Sequence, residues 1–408
     1  MTDRRKLLQN LASVGACLTL GEQAFGAVSP AAEPGLTDAT VSSAEWVSVR
    51  GKLPLIKRTF RPPNLETPLA YFRNPITPNN AFFVRYHHAN IPVVDPGTWS
   101  LRIAGPAAER SVKFTLAQLR QQFEMVDVTA LCLCSGNRRG LFSPHVVGVQ
   151  WGSGAMGNAR WRGVRLKDVL QKVGLRSDAL EVAFDGADGP VMPSAPDFQK
   201  SLPVSRALDP DTLIAFEMNG ERLPELHGAP ARLIVPGWTA TYWVKHLISI
   251  EIRNAPFDNF WMKTAYRLPL GKFPGMGTFV SQDTATSSPI TQIAVNSLIT
   301  APTSLTALRR GSSARVQGLA WDSGAGLQRV EVSLDRGGSW SQAQLARDLG
   351  RYSLRAWTFT LTAPHHSGPL TVWAKATSRD GSTQPLAAVP NPSGYHHNQI
   401  QTLDLVVL

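Results

Sequence analysis

The stretch Leu131–Arg139, LCLCSGNRR, carries the most informative chemistry in this chain and decides how the rest is interpreted. Cys132 and Cys134 are two residues apart, so on an extended segment their side chains share a face. A disulfide across that spacing would be strained. One plausible division of roles is that Cys132 packs in the protein interior and Cys134 is functional. Arg138 and Arg139 follow, and guanidinium groups close to a thiol favour the thiolate, which binds metals. The stretch therefore indicates a metal-binding loop that could also attract an anion. The alternative is a buried free cysteine near surface arginines.

The composition is that of a folded globular protein. The chain has 408 residues, of which 43% are hydrophobic and 17% charged, and at roughly 100–200 residues per domain this length suggests two or three domains. Its 33 glycines and 30 prolines favour turns and strands over a helical bundle. Three cysteines cannot build a disulfide scaffold. No apolar run beyond the N-terminus reaches the roughly 18 residues of a membrane helix, so we expect no stable membrane insertion.

The charge is strongly basic, with a formal net value of +11 at pH 7. The basic residues do not form a Lys/Arg run with interleaved aromatic residues, so nucleic-acid binding is not supported.

Residues 1–27 have the order of an export signal. Arg4 and Arg5 precede a modest apolar stretch at Leu11–Leu20, and small residues follow at Ala24–Ala27. This order predicts a signal peptide of the twin-arginine kind. That route carries folded proteins, often with an inserted cofactor, so we expect a periplasmic enzyme with a complex cofactor.

The front part of the mature chain mixes short strands with two short helices. Residues 28–80 are proline-rich and are predicted to be irregular. Apolar residues at helical spacing predict a helix over Phe114–Phe123 and another over Arg165–Val173, which Gly174 ends. Strand-like apolar runs are predicted at Ala81–His87, Trp99–Ile103, Val146–Trp151, Leu180–Phe184, Ala231–Val235 and Trp243–Ile252.

The pattern changes after about residue 285, where the helix signal is poor. Alternating runs are separated by turn residues such as Asp335–Gly338, which is typical of an immunoglobulin-like β-sandwich. We therefore predict an α+β, strand-rich chain with a signal peptide at 1–27, a front domain at 28–285 and a sandwich at 286–408. The sandwich strands are predicted at Ala314–Trp321, Arg329–Leu334, Trp357–Thr362, Leu370–Ala376 and Thr402–Val407.

Several common motifs are absent or fail. Residues 152–157, GSGAMG, fit the GxGxxG dinucleotide pattern, but that pattern should open a helix at once. Here Arg160–Gly163 intervenes and the helical periodicity starts only at Arg165, so NAD binding is not predicted. The adjacent histidine pairs would point to opposite faces of a strand, which disfavours a zinc clamp. No CxxCH haem motif is present, and we expect no haem in this chain.

The segment CSGNRR at 134–139 resembles the molybdenum-binding loop of the sulfite oxidase family. Other segments resemble that family in the same order, over nearly all of residues 70–408. They are FFVRYHH at 82–88, WGSGAMGNARWRGVRLKDVL at 151–170, FDGADGP at 184–190, HGAPARLIVPGWTATYWVKHL at 227–247, FWMKTAYRLP at 260–269, and Asn391, Gly394, Tyr395 and Asn398 near the C-terminus.

The resemblance implies a role for each matching residue. Cys134 would be the thiolate ligand of molybdenum, held in a molybdenum–molybdopterin cofactor within the front domain. The sandwich would be the family's dimerisation domain, which implies a homodimer. Residues implied to bind the cofactor are His87, Arg138, Asp188, His227, Arg232 and Lys245. Residues implied to form the catalytic pocket are Arg85, His87, Arg139 and Tyr266, with Trp151 as a wall or, alternatively, as a core aromatic.

The resemblance favours a periplasmic sulfite dehydrogenase, because FWMKTAYR looks most like that group. The reaction would oxidise sulfite to sulfate, with the electrons passing to a separate c-type cytochrome. The molybdenum subunit of a sulfane dehydrogenase is the first alternative, and a non-catalytic periplasmic binding protein is an alternative of another class. A plant-type nitrate reductase is disfavoured because that type is fused to haem and flavin domains.

Overall fold

The computed structural model describes residues 45–273 and 279–408, and these residues form a strand-rich α+β fold. The fold class predicted from the sequence is confirmed. The predicted signal peptide at 1–27 lies outside the described residues. Within the described ranges, no helix is both long and apolar enough to cross a membrane.

Two sheets make the framework of the front domain, and one apolar core is shared by residues of both. Trp161 and Trp243 lie in this core with ring centroids 5.6 Å apart. The first sheet has the spatial order Gln199–Pro203, Glu181–Gly186, Leu247–Arg253, Ser100–Ala104, Val112–Thr115. The second has the order Glu221–Arg222, Leu213–Met218, Met156–Arg165, Met125–Leu133, with Arg232–Ile234 also pairing to Leu213–Met218.

Both predicted helices of the front domain are confirmed, each slightly shorter than expected. The first covers Leu116–Gln122 and begins with a capping box between Thr115 and Gln118. The second covers Leu166–Val173 and ends at Gly174, whose φ of 86° suits a glycine. Two further α-helical turns lie at Val204–Ala207 and Phe260–Lys263, and 3₁₀ turns lie at Leu69–Tyr71, Arg139–Leu141, Glu225–His227, Ala240–Tyr242 and Val280–Gln282.

The segment before residue 80 is more regular than predicted. The prediction of irregular chain is wrong over residues 45–66, where short antiparallel strands form a sheet. Leu55 and Leu65 are buried in it against Tyr86, so distant contacts rather than local periodicity stabilise these strands. The sheet order is Glu45–Val47, Leu55–Thr59, Asn64–Glu66, Val84–Arg85.

Glu66 links this sheet to the loop that follows Trp151 by hydrogen bonds. Its carboxylate is fully buried and accepts from Arg58 Nε at 2.7 Å. It also accepts from the backbone N–H groups of Gly152 at 2.9 Å and Gly154 at 2.8 Å. A buried charge needs such partners because it has lost its hydration.

We expect Glu66→Gln to destabilise the fold by about 3–5 kcal/mol, because it leaves the Arg58 guanidinium buried without a counter-charge. Urea unfolding measures the loss. The matched control is Glu45→Gln, which removes an exposed ion pair with Lys57 and should cost at most about 1 kcal/mol. Equal effects of the two substitutions would contradict this role of Glu66.

The C-terminal part is an immunoglobulin-like sandwich without a disulfide. Val316 and Trp357 of one sheet pack in a common core with Val330, Val372 and Leu403 of the other. One sheet has the order Asn296–Ala301, Ser313–Trp321, Arg355–Thr362, Gln344–Leu345. The other has the order Ala307–Leu308, Gln401–Val407, Gly368–Ser378, Leu327–Ser333, Ser341–Gln342. A two-stranded ribbon, Arg267–Pro269 with Ser287–Pro289, precedes the sandwich.

Candidate functional site

A cavity that opens to solvent lies in the front domain, with about 660 Å³ of space free of protein atoms including its open part. Its polar lining comes from strand ends and the loops beside them, which bring residues from distant parts of the chain together. The predicted site residues that line it are Arg85, His87, Cys134, Asp188, His227, Arg232, Lys245 and Tyr266.

The loop that begins at Cys134 is held by backbone hydrogen bonds to the segment after Trp151. Cys134 N donates to Ala155 O at 3.0 Å, and Arg138 N donates to Gly152 O at 2.8 Å. The Asn137 side-chain oxygen accepts from Ala155 N at 2.9 Å. This clamp fixes the position of Cys134 at the cavity wall.

Two glycines of the GSGAMG segment allow it to pack closely against other parts of the front domain. A Cβ on Gly154 would lie 1.8 Å from Thr67 O, and one on Gly157 would lie 2.4 Å from the Phe82 ring. The predicted strand Val146–Trp151 is wrong, because this run has no strand pairing in the structure. The segment therefore does not form the strand, turn and helix that bind a dinucleotide.

Cys132 also lines the cavity, which follows from its two-residue spacing from Cys134 along a strand. Both thiols are free and buried. Burial raises the pKa of the Cys132 thiol to about 11, so this side chain stays protonated at neutral pH. Cys132 is thus both a packed residue and a part of the cavity wall.

Arg232 and Lys245 place two basic groups against the cavity. Arg232 is 4% exposed, donates to His227 O at 3.1 Å, and lies over the Trp161 ring at 5.0 Å. Lys245 Nζ donates to Arg85 O at 2.9 Å. Burial and the Arg232 charge push the pKa of Lys245 well below its ordinary value.

Asp188 is the only carboxylate among the described residues that line the cavity. It is 5% exposed. Burial raises its pKa, and the nearby Lys245 opposes that rise. The cavity lining therefore has more basic than acidic groups.

His87 and Tyr266 meet in the lining of the cavity. His87 Nε2 lies 2.6 Å from Tyr266 Oη, and the imidazole stacks on Phe198 with ring centroids 3.5 Å apart. Burial and the Arg85 charge hold the pKa of His87 well below its usual range, so this histidine is neutral. Burial raises the pKa of Tyr266, so its phenol keeps its proton. The pair can therefore hold a proton at a defined oxygen.

Three predicted site residues do not line the cavity. Arg138 has φ of 65° and donates to Asn296 Oδ1 at 3.0 Å, toward the sandwich. Arg139 Nε donates to Ser393 O at 2.8 Å. Trp151 is fully buried beside Phe83, which itself lines the cavity, so Trp151 is a core aromatic in this structure.

Arg139 nevertheless lies one ring away from the site. Its guanidinium is 5.2 Å from the centre of the Tyr395 ring, and Tyr395 stacks on Tyr266 with centroids 5.6 Å apart. Arg139 thus contacts Tyr395, which in turn packs against Tyr266 in the cavity lining.

Lys52 is a basic group near the site that no sequence motif indicated. Its Nζ donates to Asn79 O at 2.6 Å and Phe82 O at 2.9 Å, and it contacts His227 Nε2. These three acceptors match the three N–H donors of an ammonium group. In that form Lys52 donates to Nε2 and leaves the His227 proton on Nδ1.

We expect Lys52→Met to lower the molybdenum-to-protein ratio of the purified protein several-fold, because His227 loses the group that fixes its tautomer. Metal analysis after extensive dialysis measures this. Lys57→Met is the control, since Lys57 pairs with Glu45 at the surface. An unchanged ratio in Lys52→Met would show that His227 needs no such support.

The residues of the cavity fit a molybdopterin cofactor. The excess of buried basic groups suits a polyanion, and Cys134 supplies a soft ligand for the metal. Arg232 Nε, Ser135 Oγ and Thr241 Oγ1 are buried polar atoms with no hydrogen-bond partner in the described part of the chain. Such groups normally have a partner, so a polar ligand is expected here.

Comparison with known proteins agrees with this fit. An oxidoreductase molybdopterin binding domain matches residues 88–261, and a Mo-co oxidoreductase dimerisation domain matches residues 287–403. Sulfite oxidase of Gallus gallus is 35% identical over 331 residues, which are 77% of this chain and 69% of that protein. The chain belongs to the sulfite oxidase family. It therefore carries this family's molybdopterin-binding domain followed by its dimerisation domain.

A second relative and a solved structure show how far the match extends. The mitochondrial sulfite oxidase of Rattus norvegicus is 32% identical over 81% of this chain, and the match spans 61% of the rat protein's length. The structure of the sulfane dehydrogenase SoxCD from Paracoccus pantotrophus superposes with a TM-score of 0.73 and 26% identity. That superposition covers 95% of this chain and 93% of the SoxCD chain.

Proposed function

We propose that this protein oxidises sulfite to sulfate at a mononuclear molybdenum–molybdopterin centre. The observation that carries this proposal is the buried, base-rich cavity with Cys134 in its wall. Family membership supports it, because sulfite oxidases are among the relatives that are more than 30% identical to this chain. When bound, the cofactor supplies a metal that can take two electrons from the substrate.

The basic residues would hold the cofactor and the substrate in place. Arg232 and Lys245 would bind the cofactor's anionic groups, and Asp188 would accept hydrogen bonds from its pterin. Cys134 would bind the metal as a thiolate. Arg85 would orient the substrate anion by charge-assisted hydrogen bonds.

The neutral His87 and the protonated Tyr266 would handle protons at the reacting centre. Tyr266 Oη forms a hydrogen bond with His87 Nε2, and this bond holds the phenol toward the cavity. A phenol in this position can donate to a developing product oxygen. Arg139 would act through Tyr395 by positioning Tyr266.

Localisation, electron acceptor and assembly are further parts of the proposal. The segment MTDRRKLLQNLASVGACLTL supports export of the folded protein to the periplasm by the twin-arginine route. A separate c-type cytochrome would accept the electrons. The match to a dimerisation domain supports a homodimer.

The second candidate is the molybdenum subunit of a sulfane dehydrogenase. The specific observation in its favour is the superposition on SoxCD over nearly the whole chain. A sulfane substrate would carry its sulfur in a larger group than sulfite does. The two candidates therefore differ in the size of the substrate that the cavity must admit beside Arg85 and Tyr266.

One assay separates these candidates. The purified protein is mixed with sulfite, thiosulfate or nitrate, and reduction of cytochrome c or ferricyanide is followed, with reduced viologen as the donor for nitrate. Turnover with sulfite alone supports the proposal. Turnover with thiosulfate alone, which carries a sulfane sulfur, would favour the second candidate. If the molybdenum-loaded protein turned over none of these compounds, the alternative of a non-catalytic binding protein would be favoured.

A further inference from the structure

Lys200 is a buried lysine next to the cavity wall that has no role in the proposed function. It lies in the strand Gln199–Pro203, two residues after Phe198, which lines the cavity. Lys200 is fully buried, and burial lowers the pKa of its amine well below the ordinary value. Burying an amine is costly, whereas an apolar side chain would fill this position without that cost. The amine therefore serves a contact that an apolar side chain cannot make.

The contact that explains Lys200 is not a hydrogen bond to a buried acid. Glu181 is fully buried, and its charge acts on Lys200. Its carboxylate accepts hydrogen bonds from the hydroxyls of Ser201 and Ser281 and from the side-chain amide of Gln282. Glu181 thus has its partners without a hydrogen bond from Lys200.

The amine of Lys200 instead contacts the surroundings of the His87–Tyr266 pair. Lys200 Nζ donates to Trp261 O at 2.6 Å and lies 5.4 Å from the centre of the Tyr266 ring. The Trp261 ring packs edge-on against the His87 imidazole, with centroids 4.8 Å apart. One amine therefore reaches Tyr266 directly and His87 through Trp261.

Tyr266 needs support from such contacts because its backbone is strained. Its φ of 57° lies in the left-handed region, which is unfavourable for a residue with a side chain. A strained conformation persists only where the surrounding structure holds it. The Tyr266 ring stacks on Tyr395 with centroids 5.6 Å apart, and Lys200 is a second group against the same ring.

We propose that Lys200 is a positioning residue for the reaction: by holding Trp261 and the Tyr266 ring, it keeps the Tyr266 hydroxyl on His87 Nε2. This inference rests on the proposed function, which gives that pair its task in proton transfer. Lys200 is not among the residues that line the cavity, so it acts through its neighbours. Its role does not require a charge, since the neutral amine also has N–H groups that can donate to Trp261 O.

Lys200→Met removes the amine at nearly constant length and tests the proposal in the cofactor-loaded enzyme. We expect kcat for sulfite to fall by about ten- to a hundredfold, because a small misplacement of a reacting group has that cost. KM should stay within about twofold, since the contacts of Arg85 with the substrate are kept. Lys263→Met, at an exposed lysine of the helix Phe260–Lys263, should change neither constant. An unchanged kcat in Lys200→Met would overturn the proposal.

Combining Lys200→Met with Tyr266→Phe shows whether Lys200 acts through the tyrosine. Once the Tyr266 hydroxyl is removed, its misplacement has no further effect. We therefore expect the double variant to have the kcat of Tyr266→Phe alone. Additive losses would mean that Lys200 affects turnover by another route, and the proposal would fail.

Amide hydrogen exchange of the cofactor-loaded protein tests the contact with Trp261 without any turnover. The amides of residues 262–265 donate to Asn259 O and Phe260 O in the helix that carries Trp261. Lys200→Met should speed their exchange several-fold and leave that of the helix Leu166–Val173 unchanged. Wild-type exchange at residues 262–265 in this variant would refute the role of Lys200. A wild type without sulfite turnover would instead contradict the proposed function, and exchange would still decide whether Lys200 holds Trp261.

Discussion

Replacing Cys134 by serine should abolish sulfite oxidation while leaving the protein folded. Loss of groups that merely support a metal ligand costs about 10–100-fold in affinity or activity. Loss of the proposed ligand itself should therefore lower kcat by more than about 100-fold. A hydroxyl cannot replace the soft, electron-rich thiolate at a redox metal. Steady-state kinetics with sulfite, together with the visible absorption of the oxidised protein, measure this effect.

Cys132→Ser provides a matched control because it lies two residues earlier in the same cavity wall. Burial raises the pKa of this thiol to about 11, so it is a neutral wall group rather than a thiolate. We expect Cys132→Ser to keep kcat within about tenfold of the wild type. Similar losses in both variants would mean that the wall as a whole is sensitive, and the assignment of Cys134 would fail.

The sequence predicted those parts of the fold whose local pattern agrees with their tertiary contacts. The helix at Leu166–Val173 has an apolar face and a terminal Gly174, and both features are local. The sandwich strands alternate because each has one face in the core and one in solvent. The sheet at residues 45–66 was missed because its short strands depend on burial of Leu55 and Leu65 against Tyr86.

Most candidate site residues were implied by the family resemblance rather than by spacing, and the structure places eight of them around one cavity. Cys134 extends the strand Met125–Leu133, and Arg232 begins its own strand, so each side chain has a defined face. Arg138 shows the limit, because its φ of 65° turns the chain and sends the guanidinium toward the sandwich. Lys52 could not be found by spacing, since only the tertiary fold brings it to His227.

Removing the cofactor should lower the thermal midpoint by roughly 10 °C, because a tightly bound ligand stabilises only the native state. In the cofactor-free protein, Arg232 and Lys245 are buried bases with one nearby acid, Asp188. Burial lowers the pKa of both bases, which means that their charged forms are costly in the folded state. Calorimetry on protein from hosts with and without molybdopterin synthesis measures the difference.

Lys245→Met should therefore stabilise the cofactor-free protein but weaken cofactor binding. It removes a costly buried base from the cofactor-free protein and should raise its thermal midpoint. It should also lower cofactor occupancy, since one cationic contact is lost. Lys263→Met, at an exposed lysine, should change neither quantity. Destabilisation of the cofactor-free protein by Lys245→Met would contradict an excess of buried basic groups.

The same excess of basic groups predicts how stability depends on pH. Burial lowers the pKa of Lys52 from 10.5 to about 7 in the cofactor-free protein, whereas the unfolded chain keeps the ordinary value. Between these two values the unfolded state binds a proton that the native state does not. The free energy of unfolding should therefore rise as pH increases from about 7 to 10. A bound anionic cofactor favours the ammonium form and should reduce this slope. Lys52→Met should also reduce the slope of the cofactor-free protein, leaving the share of Lys200 and Lys245, whose pKa values burial lowers as well. Urea midpoints at pH 7, 8 and 9 test this, and equal slopes in all three proteins would exclude Lys52 as the cause.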